Sequence, residues 1–324
     1  MLDTPRQIDE PSPALAGPGI AAAARRAFLA TRPPFLVASV MPVLLGSAWA
    51  GAVFHRFNGL LFGLALAATV LAHAATNVYN DVSDDLIGAD PGNTDRIYPY
   101  TGGSRFIQTG LMSRQQMTVL ALVLAACALL LGGMLTVLRG AGVILFGVAG
   151  LLLGLLYSLP GAQLSARGLG EAAVAIGFGA LPVLGAVWLQ AGVIDSGAVL
   201  ICLPVSAWVA AILLINEVPD AEADRRAFKR TLVVRWGAAA ARGMYCGLTM
   251  IALAASGAAI VHRTLPLWYA IPAIILAGLG LEAAQGMRSE RDRPRLKRSI
   301  EMTLAIHVVG CITMILAIWL RSAH

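Results

Sequence analysis

Charged side chains are scarce in this chain. They make up 13% of its 324 residues, whereas apolar residues make up 58% and the mean hydropathy is +0.74. Because soluble domains are about one-quarter charged, this composition excludes an ordinary water-soluble protein. Apolar runs of about 20 residues recur along the chain, each long enough to cross the hydrocarbon core of a bilayer. They are rich in Ala, Leu and Gly and do not alternate, which predicts membrane-spanning helices rather than a β-barrel.

Cysteine pairs and a signal peptide are also missing. The four cysteines lie in apolar runs without a Cys-x-x-Cys pair, so we expect them to pack in the interior and to form neither a disulfide nor a metal site.

The first residues of the chain are rich in Pro, Asp and Glu and lack the basic and then apolar start of a signal peptide. We predict a flexible tail over residues 1–19 and a transmembrane domain over 20–324 that begins with a surface helix over 20–31.

The basic residues predict how the chain is oriented. Nine spans can be drawn, at about 34–55, 59–80, 116–138, 141–159, 169–191, 196–216, 238–261, 265–285 and 300–320. Of the 24 Lys and Arg residues, 20 then lie on one side of the membrane, if Arg242 near the start of the seventh span is included, and four lie on the other. Because cytoplasmic loops are enriched in Lys and Arg, we predict an inner (cytoplasmic) membrane protein with a cytoplasmic N-terminus and the C-terminus on the opposite side. Lipid contacts then explain the net charge of +6, and no nucleic-acid partner is expected.

Two stripes of oxygen-bearing side chains follow even-numbered spans. Their members are four residues apart, which puts each set on one face of a helix. The first stripe is Asn77, Asp81 and Asp85, and the second stripe is Asn216, Asp220 and Asp224. Crowded carboxylates repel one another unless a cation neutralises them, and oxygen donors favour Mg²⁺. We predict the six residues as metal ligands and the four aspartates as catalytic, although either stripe alone would also fit a solvated helix end.

Basic side chains surround both stripes. An acidic metal site among guanidinium and ammonium groups is typical of a diphosphate site. We predict diphosphate binding by Arg32, Arg105, Lys229 and Arg230. Other basic residues in the same loops are expected to act as orientation signals or lipid contacts. The stripes end the second and sixth spans, and this offset predicts an all-α bundle of two four-helix halves plus a ninth helix around a central cavity.

These residues resemble a known family. The patterns Asn77-x-x-x-Asp81-x-x-x-Asp85 and Asn216-x-x-x-Asp220-x-x-x-Asp224 look like the two aspartate-rich motifs of the UbiA-type intramembrane prenyltransferases. Residues 32–46 are similar to the first helix of that family, and residues 224–235 are similar to the segment after its second motif. The resemblance covers residues 30–320 and implies Mg²⁺-dependent transfer of a polyprenyl group from its diphosphate to a small aromatic acceptor.

Further segments resemble the branch of the family that uses 1,4-dihydroxy-2-naphthoate in menaquinone biosynthesis. They are residues 88–90, 102–113, 168–171, 178–185 and 190–192. The resemblance implies loss of the ring carboxylate and a demethylmenaquinone product. Glu217, Phe228 and Trp236 depart from that branch, where Asn or Asp, Gly and a smaller apolar residue are usual. These departures concern the acceptor more than the diphosphate.

Three further residues are candidates for contact with the acceptor or the prenyl chain. Tyr157 lies near the end of span 4, where the family has a tyrosine close to the allylic chain, although an interfacial anchor is the alternative. Glu171 begins span 5 and either stabilises the helix N-terminus or binds the acceptor. His73 lies one turn before Asn77 on the same face, where packing competes with proton transfer.

Rival functions remain open at this point. The same fold is compatible with a hydroxybenzoate or other phenolic acceptor, or with an intramolecular alkene as in membrane terpene cyclases. A cation-coupled transporter would carry its carboxylates near mid-span, whereas these lie at span ends beside basic loops. Because water would capture an allylic cation, transfer requires a dry cavity, with a lateral opening that leaves the chain in lipid. The sequence does not identify a base.

Overall fold

The structure is a computed structural model that describes residues 13–159, 161–288 and 292–322. Within these ranges the chain is helical and contains no strand. Residues 1–12 of the predicted tail lie outside the described residues. The all-α fold class predicted from the apolar runs is confirmed.

The surface helix α1 spans Ile20–Ala30, close to its predicted bounds. Nine longer helices follow within the described residues: α2 (Val37–Phe54), α3 (Gly59–Leu86), α4 (Arg114–Arg139), α5 (Gly142–Ser158), α6 (Gly170–Ala191), α7 (Ser196–Arg226), α8 (Leu232–Val261), α9 (Ala270–Gly286) and α10 (Arg293–Ser322). Four 3₁₀ turns lie at Pro13–Ala16, Pro33–Phe35, Leu164–Arg167 and Leu267–Tyr269.

Polar side chains define where several helices begin. Asn58 accepts hydrogen bonds from the first amides of α3, Asp195 does so for α7, and Thr231 does so for α8. α4 begins with a capping box in which Ser113 and Gln116 satisfy each other's backbone amides. Each such cap satisfies an amide that has no partner within its helix. The loops therefore end, and the spans start, at fixed residues.

Eight helices of the described residues are long and apolar enough to cross a membrane. The predicted fourth span corresponds to α5, which has 17 residues. α9 has the same length, but the 3₁₀ turn before it extends it to 20 residues, whereas α5 has no such extension. At 1.5 Å per residue α5 is about 25 Å long, at the lower limit for a bilayer core. The predicted count of nine therefore rests on one short helix.

The helices that carry the stripes extend past their apolar runs. α3 has 28 residues and α7 has 31, so each exceeds the roughly 20 residues that a bilayer requires. The predicted spans ended at residues 80 and 216, because an apolar run stops at the membrane surface whereas the backbone hydrogen bonds of a helix continue. Both stripes therefore lie on helical backbone, as their four-residue spacing predicted.

Consecutive helices pack against one another, and α10 closes the bundle against α2. One apolar core joins α2, α6, α7, α9 and α10 through buried residues such as Leu45, Val183, Ile201 and Met314. α6 contains a π-helical segment at Ala175–Ala180. Pro182 has no N–H to donate to the preceding turn. The wider π turn before it accommodates this missing backbone hydrogen bond. It positions Phe178 toward the interior.

A large apolar cavity of about 1020 Å³ lies between α3, α4, α5 and α6, and parts of α2 and α7 complete its wall. Small residues of the lining leave this space open, among them Ala72, Ala125, Gly147 and Gly177. The lining also includes Leu122 of α4, a side chain that is exposed on the surface of the bundle. The central cavity predicted from the sequence is present, and its wall reaches the lipid-facing surface at α4.

Candidate active site

A smaller polar cavity of about 80 Å³ lies where α3 and α7 end. Its wall carries carboxylates from both helices and from the loop after α3: Asp84, Asp90, Glu217, Asp220 and Asp224. Lys229 and Arg32 are the cations of the same wall. The structure thus brings the helix ends that bear both stripes to one site.

Lys229 links the two helices directly. Its Nζ lies 2.9 Å from Asp84 Oδ2 and 3.7 Å from Asp224 Oδ1. Burial alone would lower the pKa of Lys229, but the carboxylates of Asp224 and Asp84 outweigh it and raise this pKa above its usual range. The ammonium group therefore keeps its charge and offsets part of the repulsion between the carboxylates.

The loop over residues 87–113 covers both stripes with backbone amides. Gly102 N donates to Asp220 Oδ2 at 3.0 Å, and Ser104 N donates to Asp81 Oδ2 at 2.9 Å. Asn93 Nδ2 donates to the other oxygen of Asp220 at 2.6 Å. Gly102 and Gly103 have φ values of +69° and +71°, a conformation in which glycine is strongly favoured. The turn at Gly102 and Gly103 thus directs the Gly102 amide toward Asp220 of the second stripe and the Ser104 amide toward Asp81 of the first stripe.

Asp90 is a buried site residue that the spacing argument missed. A Cβ on Gly103 would lie 2.4 Å from Asp90 Oδ2 and 3.1 Å from Asp81 Oδ1, so both carboxylates pack against that glycine. Burial, followed by the charges of Asp84 and Asp81, raises the pKa of Asp90 well above its usual range. Asp90 ends the segment 88–90, which the resemblance to the family branch had already singled out. It was not predicted as a site residue because it does not lie at helical spacing from either stripe.

The two aspartates of the first stripe, Asp81 and Asp85, have different neighbours. Asp81 is buried beside the polar cavity without lining it, and one of its oxygens has no hydrogen bond. Asp85 instead turns toward Arg114, at 2.6 Å, and toward Gln108, at 3.0 Å, and does not line the polar cavity. Its neighbour Asp84 does line the cavity. Residues three and four positions apart both share a helix face, so a strict four-residue spacing could not tell Asp84 from Asp85.

The asparagine side chains that begin the two stripes lie toward the apolar cavity. Asn77 Nδ2 donates to the Thr31 carbonyl at 2.9 Å, and Asn77 lines the apolar cavity only. Asn216 Nδ2 donates to Ile212 O at 2.7 Å, which leaves its Oδ1 without a partner. Asn216 lines both cavities. It therefore marks the junction between polar and apolar space.

The predicted diphosphate ligands differ in position. Arg32 has φ +57°, donates to Tyr100 O at 2.8 Å and lies 3.9 Å from Asp81 Oδ1. It lines both cavities. Arg105 is buried and donates to the Asp90 carbonyl, which makes it a support of the loop. The side chain of Arg230 is exposed and lines neither cavity.

The acceptor and chain candidates surround the junction. Tyr157 lines both cavities. His73 lines the apolar cavity, its Nδ1 lies 2.8 Å from Ser39 Oγ and its ring lies 4.2 Å from that of Phe178. Glu171 is 8% exposed, and neither of its carboxyl oxygens has a hydrogen bond among the described residues.

The donor set fits a magnesium ion that is shared with a substrate. Within the described residues, no three His, Cys, Asp or Glu side chains are grouped tightly enough to hold a metal alone. Magnesium sites that serve phosphates need only one or two carboxylates, with waters and phosphate oxygens completing the shell. Asp81, Asp84 and Asn216 each have a buried oxygen without a partner at this site, which is the kind of donor such a shared ion requires.

Known proteins resemble this chain over most of its length. The sequence model of the UbiA prenyltransferase family matches residues 39–307. The chain is 28% identical to a 1,4-dihydroxy-2-naphthoate octaprenyltransferase of Escherichia coli, with 89% of this chain and 94% of the relative covered. It is 30% identical to the protein of the same name from Mycobacterium tuberculosis, with 80% and 85% covered.

A solved structure has the same fold. It is that of a UbiA homolog from Archaeoglobus fulgidus bound to DMAPP and Mg²⁺. The TM-score is 0.63 at 14% sequence identity, with 89% of this chain and 98% of the homolog covered. At that identity the likeness concerns the arrangement of the helices.

Proposed function

The chain belongs to the UbiA prenyltransferase family, and from that premise we propose that it transfers a polyprenyl group from its diphosphate to 1,4-dihydroxy-2-naphthoate with the aid of Mg²⁺. The chain is an integral membrane protein and a prenyltransferase. The donor, the acceptor and the metal are the parts of the proposal that experiments must test.

One observation carries the proposal: the polar and apolar cavities share part of their wall. Arg32, Asn80, Tyr157, Leu213 and Asn216 line both. A polyprenyl diphosphate has a strongly charged head and a long apolar tail, so it fits two adjoining cavities of opposite character. The bond that breaks, between the allylic carbon and the diphosphate oxygen, would lie at the residues that the two cavities share.

The residues of the polar cavity suit the release of diphosphate. A bound Mg²⁺ would supply charge stabilisation to the leaving oxygens. The residues that would hold it are Asp84, Asn216, Asp220 and Asp224 of the cavity wall, together with Asp81, which packs beside Asp90 against Gly103. Lys229 and Arg32 bring permanent positive charge to the same wall. The apolar cavity excludes water from the allylic carbon as it gains cationic character.

The dihydroxynaphthoate acceptor is supported by the names of the relatives and by an electron balance that requires no external base. The allylic carbon–oxygen bond breaks, and its electron pair leaves with the diphosphate. The ring carbon that bears the carboxylate forms the new bond to the allylic carbon. The ring carboxylate leaves as CO₂, and the electron pair of its bond restores the aromatic ring. The product is the prenylated dihydroxynaphthalene, a demethylmenaquinol.

An acceptor panel tests the proposal against its rivals. Purified protein with Mg²⁺ and a polyprenyl diphosphate should release diphosphate and CO₂ with 1,4-dihydroxy-2-naphthoate and release no diphosphate with 4-hydroxybenzoate. Preference for 4-hydroxybenzoate would assign a phenolic acceptor instead. Equal release of diphosphate without any aromatic acceptor would favour a terpene cyclase.

We also propose that the active site faces the cytoplasm across the inner cell membrane. The basic loops after α3, α7 and α9 lie on the same side as both stripes in the orientation that the Lys and Arg distribution predicts. A soluble diphosphate product would then be released into the cytoplasm.

A further inference from the structure

Two glutamates form a buried carboxyl pair beside the cavity junction. Glu171 lies in the first turn of α6, and Glu217 lies in α7 next to Asn216. Their carboxyl groups interact with each other, and the residues are 8% and 7% exposed. Glu217 forms part of the polar cavity wall.

The pair has spare hydrogen-bond acceptors. Both oxygens of Glu171 and Oε2 of Glu217 have no hydrogen-bond donor among the described residues. A buried acceptor without a donor is destabilising, so such a group usually has a partner in the working state of a protein. The contact between the two carboxyl groups can involve only one oxygen of each, so at least one buried oxygen of the pair still requires a donor.

The surroundings favour a hydroxyl group as that donor. The ring of Tyr157 packs close by, since a Cβ on Gly170 would lie 3.7 Å from Tyr157 Cε2. An aromatic surface beside carboxyl oxygens matches an aromatic ring that bears hydroxyl groups.

We propose that the Glu171–Glu217 pair binds a ring hydroxyl of the aromatic acceptor and so orients the ring toward the allylic carbon. Glu217 accepts the hydroxyl hydrogen at the polar cavity wall, and Glu171 holds Glu217 in place from behind. This inference rests on the proposed function, because it names how the acceptor of that reaction is recognised. It differs from the diphosphate site in residues and in ligand chemistry.

Hydroxyl recognition can be measured by binding alone. The affinity of purified protein for 1,4-dihydroxy-2-naphthoate and for its dimethyl ether would be measured by calorimetry, with an unreactive geranyl thiodiphosphate and Mg²⁺ present. The ether keeps the ring and the carboxylate but cannot donate a hydrogen bond. Wild-type protein should bind the dihydroxy compound roughly tenfold more tightly, the factor expected for one buried hydrogen bond between a hydroxyl group and a carboxyl oxygen.

Substitution of the pair should remove this discrimination. In Glu217→Gln an amide nitrogen, which donates and cannot accept a hydrogen bond, replaces one carboxyl oxygen of the pair, so the hydroxyl loses that acceptor and the two compounds should bind nearly alike. Glu171→Gln should weaken binding in the same direction and serves as the second variant if Glu217→Gln does not fold. Glu222→Gln is the matched control on the same helix, because Glu222 is exposed and pairs with Arg225 and Arg226.

Several results would overturn the proposal. One is equal discrimination by wild type and by both pair variants. Another is loss of Mg²⁺-dependent geranyl thiodiphosphate binding in Glu217→Gln, because Glu217 would then belong to the diphosphate site. If wild type binds neither naphthalene, the proposed acceptor fails together with the pair. If wild type discriminates but transfers no prenyl group, the hydroxyl site stands and the proposed function fails.

Discussion

Asp84 illustrates how one position decides the chemistry of the site at the scale of single residues. It lines the polar cavity, contacts Lys229 and retains one oxygen without a hydrogen bond. Asp85, the next residue, lies between Arg114 and Gln108 outside that cavity. The structure therefore favours Asp84 as a ligand for metal-bound diphosphate, whereas the spacing of the stripe predicted Asp85.

Paired substitutions separate these two assignments. Asp84→Asn should lower turnover by about 100-fold or more, because it removes a carboxylate that would hold the Mg²⁺ that stabilises the leaving diphosphate. Asp85→Asn should lower turnover much less, since it breaks an ion pair with a half-exposed arginine that contributes at most about 1 kcal/mol of stability. Steady-state turnover and thermal melting of both variants provide the check. A larger loss in Asp85→Asn would restore the assignment made from spacing.

The sequence predicted the residue types of the site better than their individual contacts. Helical spacing identified Asp81, Asp220 and Asp224 because it depends only on local geometry. Asp90 escaped detection because it lies in a loop, where side-chain direction follows no period. Its place beside Asp81 depends on the backbone of Gly103, which no pattern in the sequence encodes.

The loop over residues 87–113 is the element that joins the two halves of the site. Its amides reach Asp81, 23 positions away, and Asp220, 118 positions away. The apolar runs predicted the helices, since burial in lipid requires each span to satisfy its own backbone. Contacts between a loop and two distant helices depend on the folded arrangement as a whole, so the sequence alone did not predict them.

Two glycines of this loop give a matched test of its role. Gly103→Ala places a methyl group 2.4 Å from Asp90 Oδ2, whereas Gly110→Ala meets nothing within 4 Å. Their φ values of +71° and +70° make the backbone cost alike, about 1 kcal/mol for alanine. Gly103→Ala should therefore lower turnover at least tenfold more than Gly110→Ala, as measured at saturating donor and acceptor. Equal losses would mean that the contact with Asp90 is unimportant.

At the scale of the whole molecule, the connections separate onto two ends of the bundle. At the site end, Arg293 at the start of α10 donates to the Arg96 carbonyl, and Tyr100 contacts Glu301. At the other end, Asn58 exchanges two hydrogen bonds with Gln190. This grouping agrees with the alternation of basic loops in the sequence, while the direction of the bundle in the membrane stays a prediction.

Cysteine labelling tests that direction. Arg225→Cys at the site end and Arg56→Cys at the other end replace exposed side chains. In intact cells a membrane-impermeant maleimide should label Arg56→Cys and spare Arg225→Cys, and inside-out vesicles should reverse the pattern. The unsubstituted protein, whose four cysteines lie within helices, is the control. Labelling of Arg225→Cys in intact cells would invert the assigned orientation.

The central claim is that both stripes hold one diphosphate, and ligand-induced stabilisation tests it most directly. Thermal melting would be followed for wild type, Asp81→Asn and Asp220→Asn, with geranyl diphosphate and Mg²⁺ added together or singly. Wild type should gain about 2.7 kcal/mol at 100 times the dissociation constant, and only when both are present. Either substitution alone should abolish this gain. Retention of the full Mg²⁺-dependent gain in either variant would contradict a single site built from both stripes.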